Sequence, residues 1–296
     1  MHSAKAFAPG NISCIFVIKK TKNPAKSGSL GMGFTVNKGV TAAIKKISND
    51  KKSNNKENGY DEKNNKNLKN IIFFNNKKIS FPTVNSVIKE LTDEKVIVDI
   101  KSQLPLGYGF GISGAAALAT AYALNKLFKL KKSRKQLAMA AHIAEVENST
   151  GLGDVINQYF GGFLVKYEPS CKFKAVRLPI KNKAVYCKYF SPIETKKVIS
   201  NKKIENRINN AGIKALNKIK ALNNKNANIK NIIRISKEFS IDSGLLKNKK
   251  IIDLIKHIEK NNGNASMIML GNAVFSNIYF RGSKELMIRD KGACLV

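Results

Sequence analysis

The stretch Leu104–Ala119, LPLGYGFGISGAAALA, places Gly107, Gly109, Gly111 and Gly114 between a β-branched run, Lys95 to Ile100 (KVIVDI), and a series of alanines. Glycines at a strand-to-helix junction let backbone N–H groups come close to a phosphate, and the helix N-terminus behind them adds partial positive charge. Gly109–Gly114 also satisfies GxGxxG, so a dinucleotide fold has to be considered. That fold wants an acidic residue about 20 positions further on to bind the ribose. Here the corresponding segment is KLFKLKKSRK, and no acid occurs before Glu145. Neither GxxxxGK[ST] nor the HRD and DFG signatures of protein kinases is present, so the loop is a phosphate cradle of another kind.

On the downstream side, Ala115 to Phe128 is small and apolar without Pro or Gly, which predicts a buried helix. Ser133 reads as the N-cap of a second helix, Arg134 to about Glu147, and Gly162 to Tyr167 as a strand. Upstream, Lys5 to Lys20 predicts a short strand, a turn at Pro9-Gly10 and an apolar run, Ile12 to Ile18. SGSLGMGFTV (Ser27–Val36) leads into a strand at Gly39 to Ile44. Residues 48–70 are nearly all Lys, Asn, Asp, Glu and Ser and read as a mobile insertion. After residue 167, strand-like runs alternate with helical ones, Ile204 to Leu222, Ile229 to Phe239 and Ile251 to Lys260. The expected division is therefore an N-terminal domain, 1–167, and a C-terminal mixed α/β domain, 168–296.

At 296 residues and 43% hydrophobic, the chain can bury a sizeable core. No apolar stretch reaches the roughly 18–20 residues of a membrane span, and the N-terminus lacks a secretory apolar segment, so the expectation is a cytoplasmic protein without membrane association. Cys14, Cys171, Cys187 and Cys294 are scattered, which points to ordinary thiols. The 53 Lys+Arg against 20 Asp+Glu give a net charge of +33, a balance that normally suggests a polyanionic partner. Lysine and asparagine rise together along the whole chain, however, as in KNNKNLKN and NKNANIKN. Solvated lysine is the better reading, and no nucleic-acid partner is expected. A homodimer is expected only from the general frequency of such assemblies.

The loop resembles the PxxxGxGSSAA phosphate loop of the GHMP kinases, starting at Pro105. FAPGNI (Phe7–Ile12) is similar to that superfamily's APGK motif, with Asn11 where many members have lysine. TGLGDVINQYFGG (Thr150–Gly162) resembles its GxxSGxDxxxxxxGG element. FAPGNIS, SGSLGMGFTV, GFGISGAAALATAYALN, AEVENSTGLGDV and MLGNAVFSN are similar, within that superfamily, to the archaeal pantoate kinases. The resemblance implies an α+β fold of two domains, a ribosomal S5 domain 2-like N-terminal domain and a ferredoxin-like C-terminal one, with the active site between them.

It also implies ATP and Mg²⁺ as cofactors and the phosphorylation of pantoate to 4-phosphopantoate in coenzyme A biosynthesis. Mevalonate, homoserine and shikimate are the alternative acceptors, and a basic RNA-binding protein is the rival from another class. Pro105, Gly107, Gly109, Gly111, Ser113, Gly114 and Ala115 would hold the nucleotide. Ser113 and Glu145 would supply the oxygen ligands a hard cation wants, with Glu147 as rival to Glu145. Asp154 would be the catalytic base, although its place before an apolar helix also suits an N-cap. Ser29, His142 and a basic residue, Lys166 or Arg177, would bind the acceptor's carboxylate and hydroxyls.

Overall fold

In a computed structural model, the structure describes residues 3–47, 69–193, 196, 202–222 and 227–296. The expected insertion at 48–70 falls almost wholly outside the described residues. Two long strands organise the chain: β1 (Ser3–Lys19) and β2 (Gly28–Lys46), paired antiparallel along nearly their whole length. Pro9-Gly10 does not make the expected turn. The register slips between Pro9 and Asn11 instead, so the missing proline N–H is absorbed by a bulge while the strand continues.

β3 (Ile71–Phe74), the short β4 (Lys77–Lys78), helix α1 (Pro82–Leu91) and β5 (Val96–Ser102) follow, and β3 lies parallel to β5 across the helix. α2 (Ile112–Phe128) is buried along most of its length, and its alanines let it pack closely on β1 and β2 and against α1 and α3 (Arg134–Glu147). Ser133 caps α3 as the sequence predicts: its hydroxyl accepts from the Gln136 amide, and the Gln136 side chain accepts from Ser133 N–H. The short α4 (Asp154–Phe160) then turns the chain into β6 (Phe163–Lys166).

β6 pairs with the first half of β2, whereas β5 pairs with the second half. The eight-stranded sheet also takes in β7 (Val176–Arg177), beside β6, and β12 (Cys294–Leu295), beside β1. Both belong to the later half of the chain, so the C-terminus returns to the first sheet. A second, four-stranded sheet runs β11 (Lys284–Met287), β8 (Ala184–Ser191), β10 (Asn272–Ser276), β9 (Ala265–Met267). The amphipathic helix α5 (Lys202–Ala221) packs on β1 and on α6 (Ile229–Asp242), while α6 and α7 (Lys249–Lys260) pack on this second sheet, each helix burying an apolar face. Phe34 of β2 stacks on Phe163 at 4.9 Å between ring centroids and meets Phe275 of β10 at 5.8 Å, so one continuous core joins the two sheets.

Candidate active site

The glycine loop leaves β5 and enters α2 through three residues in left-handed conformation, Gly107 (φ 88°), Gly109 (φ 85°) and Gly111 (φ 61°). Side chains strain such backbone, which is why the sequence spends glycine there. Gly111 is the N-cap of α2, and no side chain caps the helix. The first-turn N–H groups have no intrahelical partner and form an anion-attracting end. This end opens into a cavity of about 420 Å³.

Ser113, Thr83, Glu145 and Thr150 form one wall. Ser113 Oγ donates to Thr83 Oγ1 (3.2 Å), which lies 3.1 Å from Thr150 Oγ1. Glu145 is fully buried on α3, lines the cavity, and has no hydrogen-bond partner on either carboxylate oxygen among the described residues. Burial, with the Asp154 charge as a second cause, pushes its carboxyl well above the usual range. An unpartnered buried carboxylate is costly unless a cation or proton satisfies it. The Glu145 carboxylate and Ser113 Oγ offer the oxygen donors that suit Mg²⁺, which takes one or two protein ligands and completes its shell with phosphates and water. The residues present therefore fit the ion. Glu147 is exposed and does not line the cavity, which separates it from Glu145.

Against Gly111, a second polar part of the lining centres on Asp154. It does not cap its helix; Gly153 holds the N-cap position, and α4 has no side-chain cap. Asp154 Oδ1 instead accepts from Asn11 Nδ2 (2.6 Å) and Ser13 Oγ (3.0 Å), both on β1. Oδ2 carries no hydrogen bond among the described residues. Burial raises the Asp154 carboxyl above its ordinary value, and Lys166, Ser13 and Asn11 hold the rise in check. Lys166, on β6, is buried, and its Nζ donates to Gly153 O (3.0 Å) and Asn157 Oδ1 (2.9 Å). Burial lowers its ammonium to about 8, against the Asp154 charge that favours it. Ser29 of β2 stands at the same end of the cavity, its hydroxyl against Gly153.

The cavity thus brings together Gly107, Gly109, Gly111, Ser113, Glu145, Asp154, Ser29 and Lys166 of the expected site residues. Pro105 and Ala115 do not line it, and Gly114 lies directly beneath Glu145. His142 is also outside the lining, despite sharing a face of α3 with Glu145. Its Nε2 lies 3.0 Å from the Ser27 carbonyl oxygen, so the expected direct contact with an acceptor is replaced by a hold on the start of β2. Arg177 is turned elsewhere, donating to the carbonyls of Phe160 and Asp290. Sequence reasoning missed Ser13, Thr83, Thr150 and Asn157. Ser13, Thr150 and Asn157 all lie within quoted motifs, FAPGNIS and TGLGDVINQYFGG, but each bonds to a partner 67 or more residues away in sequence, and Thr83 lies outside every motif.

The family model described as "GHMP kinases N terminal domain" matches residues 81–162, which include the glycine loop, Glu145 and Asp154. A pantoate kinase of Methanocaldococcus jannaschii is 34% identical over 91% of this chain and 90% of its own length. One from Thermococcus kodakarensis is 30% identical over 92% and 86%. Among solved structures, a "phosphotransferase related to CoA biosynthesis pathway" superposes with a TM-score of 0.82 over 99% of this chain and 98% of that one, at 23% identity, a likeness of fold. Among the described residues no helix is long and apolar enough to cross a membrane. With whole-length similarity and the phosphate loop, the acidic pair and the two-sheet fold all in place, the chain belongs to the GHMP kinase superfamily, in the pantoate kinase family.

Proposed function

We propose that the protein transfers the γ-phosphoryl group of ATP to the primary hydroxyl of pantoate, giving 4-phosphopantoate and ADP. The observation that carries this reading is one cavity that holds an uncapped helix N-terminus and, facing it, an aspartate with one free carboxylate oxygen. The N-terminus of α2 and the glycine loop bind the nucleotide's phosphates. Asp154 Oδ2 accepts the hydroxyl proton as the new O–P bond forms and the bond from phosphorus to the β-phosphate oxygen breaks. Its burial keeps it more basic than an exposed aspartate, which suits that task. Ser113 and Glu145 would hold Mg²⁺, which when bound neutralises charge on the β- and γ-phosphates.

In this reading the acceptor's carboxylate binds Lys166 and Ser29, supported by their position as the cation and hydroxyl against Gly153. His142 contributes indirectly, by fixing Ser27 two residues before Ser29. Ile15, Phe16 and Met32 supply apolar surface to the cavity, a match for an acceptor with a quaternary, dimethylated carbon. The test is ADP release with pantoate, mevalonate, homoserine and shikimate supplied separately. Turnover is expected with pantoate, and turnover with another of these acids but none with pantoate overturns the proposal.

A further inference from the structure

Asn157 lies behind the cavity wall, buried and outside the lining, yet it connects two groups that do line it. Lys166 Nζ donates to Asn157 Oδ1 at 2.9 Å, Asn157 Nδ2 donates to Asn11 Oδ1 at 2.9 Å, and Asn11 Nδ2 donates to Asp154 Oδ1 at 2.6 Å. An amide can present either its oxygen or its NH₂, so in isolation each asparagine has two orientations. Here the ends remove that freedom. An ammonium group only donates and a carboxylate only accepts, so each end independently selects the same direction for both amides. A single reversal inside the row sets oxygen against oxygen or NH₂ against NH₂ in a dry interior, where the loss is greatest.

We infer that Asn157 is a positioning residue for phosphoryl transfer: through Asn11 it relays the donor-only character of Lys166, so that an N–H rather than an oxygen faces Asp154. The role rests on Asp154 being the base; the orientation of the amides does not. With Oδ1 held by Asn11 and Ser13, the carboxylate is fixed in rotation and Oδ2 is the oxygen left for the acceptor hydroxyl. The row also links the cation at the acceptor end to the base without direct contact between them. Asn11 thereby gains a role on β1 that a donor-only side chain would fill without a relay.

Two measurements test this. Neutron diffraction from crystals of the deuterated full-length protein locates amide deuterons directly and needs no substrate. Deuterons of Asn11 pointing at Asp154 and of Asn157 pointing at Asn11 are expected; Asn11 oxygen facing Asp154 overturns the relay. In Asn157→Asp, which keeps shape but offers only oxygens, the same map is expected to show Asn11 reversed. Kinetically, Asn157→Asp is expected to lower kcat by about ten- to a hundredfold, the scale of a hydrogen bond to a charged group, with KM for ATP within about twofold. Asn157→Leu, which breaks the row without reversing it, is expected to fall between that variant and wild type. Unchanged kcat in Asn157→Asp, or a greater loss in Asn157→Leu, overturns the positioning role. If the wild type turns over no pantoate, the proposed reaction fails while the neutron map still decides the relay.

Discussion

Gly151→Ala separates activity from stability. An alanine Cβ built at Gly151 would lie 2.7 Å from both carboxylate oxygens of Glu145 and 2.8 Å from its Cδ. Ordinary contact begins near 3.4 Å, so the carboxylate has to retreat by about 0.7 Å. That retreat is cheap for the fold, because the atoms displaced are the far end of a side chain with no hydrogen bonds to break. Gly151 is not left-handed, so alanine meets no backbone strain there and restricts the unfolded chain, a gain of about 0.4–1 kcal/mol. For the site the retreat is expensive. Misplacing a participating group by about 1 Å costs on the order of a hundredfold in rate. Gly151→Ala is therefore expected to keep its Tm within about 3 °C of wild type while kcat/KM falls ten- to a hundredfold and the Mg²⁺ concentration for half-maximal rate rises. The assay is coupled ADP release at varied Mg²⁺, alongside a thermal melt. A variant with wild-type rate and Mg²⁺ dependence refutes the assignment of Glu145, and a rate loss matched by a large drop in Tm refutes the packing argument.

Three further outcomes are expected. Asp154→Asn, which keeps shape and loses the base, should lower kcat by about 10²–10⁴-fold in the same assay with little change in the melt. Lys166 should make activity and stability diverge with pH. Its folded value of about 8 lies below the roughly 10.4 of an unfolded lysine, so kcat/KM for a carboxylate acceptor should fall as pH rises through about 8. Over the window from about 8 to 10.4 the unfolded chain binds more protons at this residue, so its contribution to stability should rise with pH; Lys166→Met, compared by denaturant titration across that window, should lose the rise. Ser133→Ala should remove the α3 capping box and cost about 1 kcal/mol by denaturant titration, without altering KM for ATP.

Much of the fold was legible because it rests on local rules. The buried alanine helix, the Ser133 cap and the β-branched strand around Val96 follow from periodicity and capping chemistry, and the structure has them within a few residues. Pro9-Gly10 misled because the same dipeptide serves a turn or a bulge; the unbroken pairing of β1 with β2 on either side decided for the bulge. His142 misled differently. Helical spacing puts it with Glu145, but spacing does not say which neighbour each side chain meets, and the start of β2 reaches His142 first.

By itself, the sequence determined the left-handed glycine loop, the helix behind it and the order of three motifs, since these depend on backbone conformation and near neighbours. Only the tertiary structure decided which polar groups face one another. It set Glu145 apart from Glu147 by burial, showed Asp154 bonded to β1 rather than capping its own helix, and joined Lys166 to Asp154 through two asparagines. Those contacts span up to 146 residues of chain, and hydrogen-bond direction and desolvation act only once folding has brought the groups together in a dry interior.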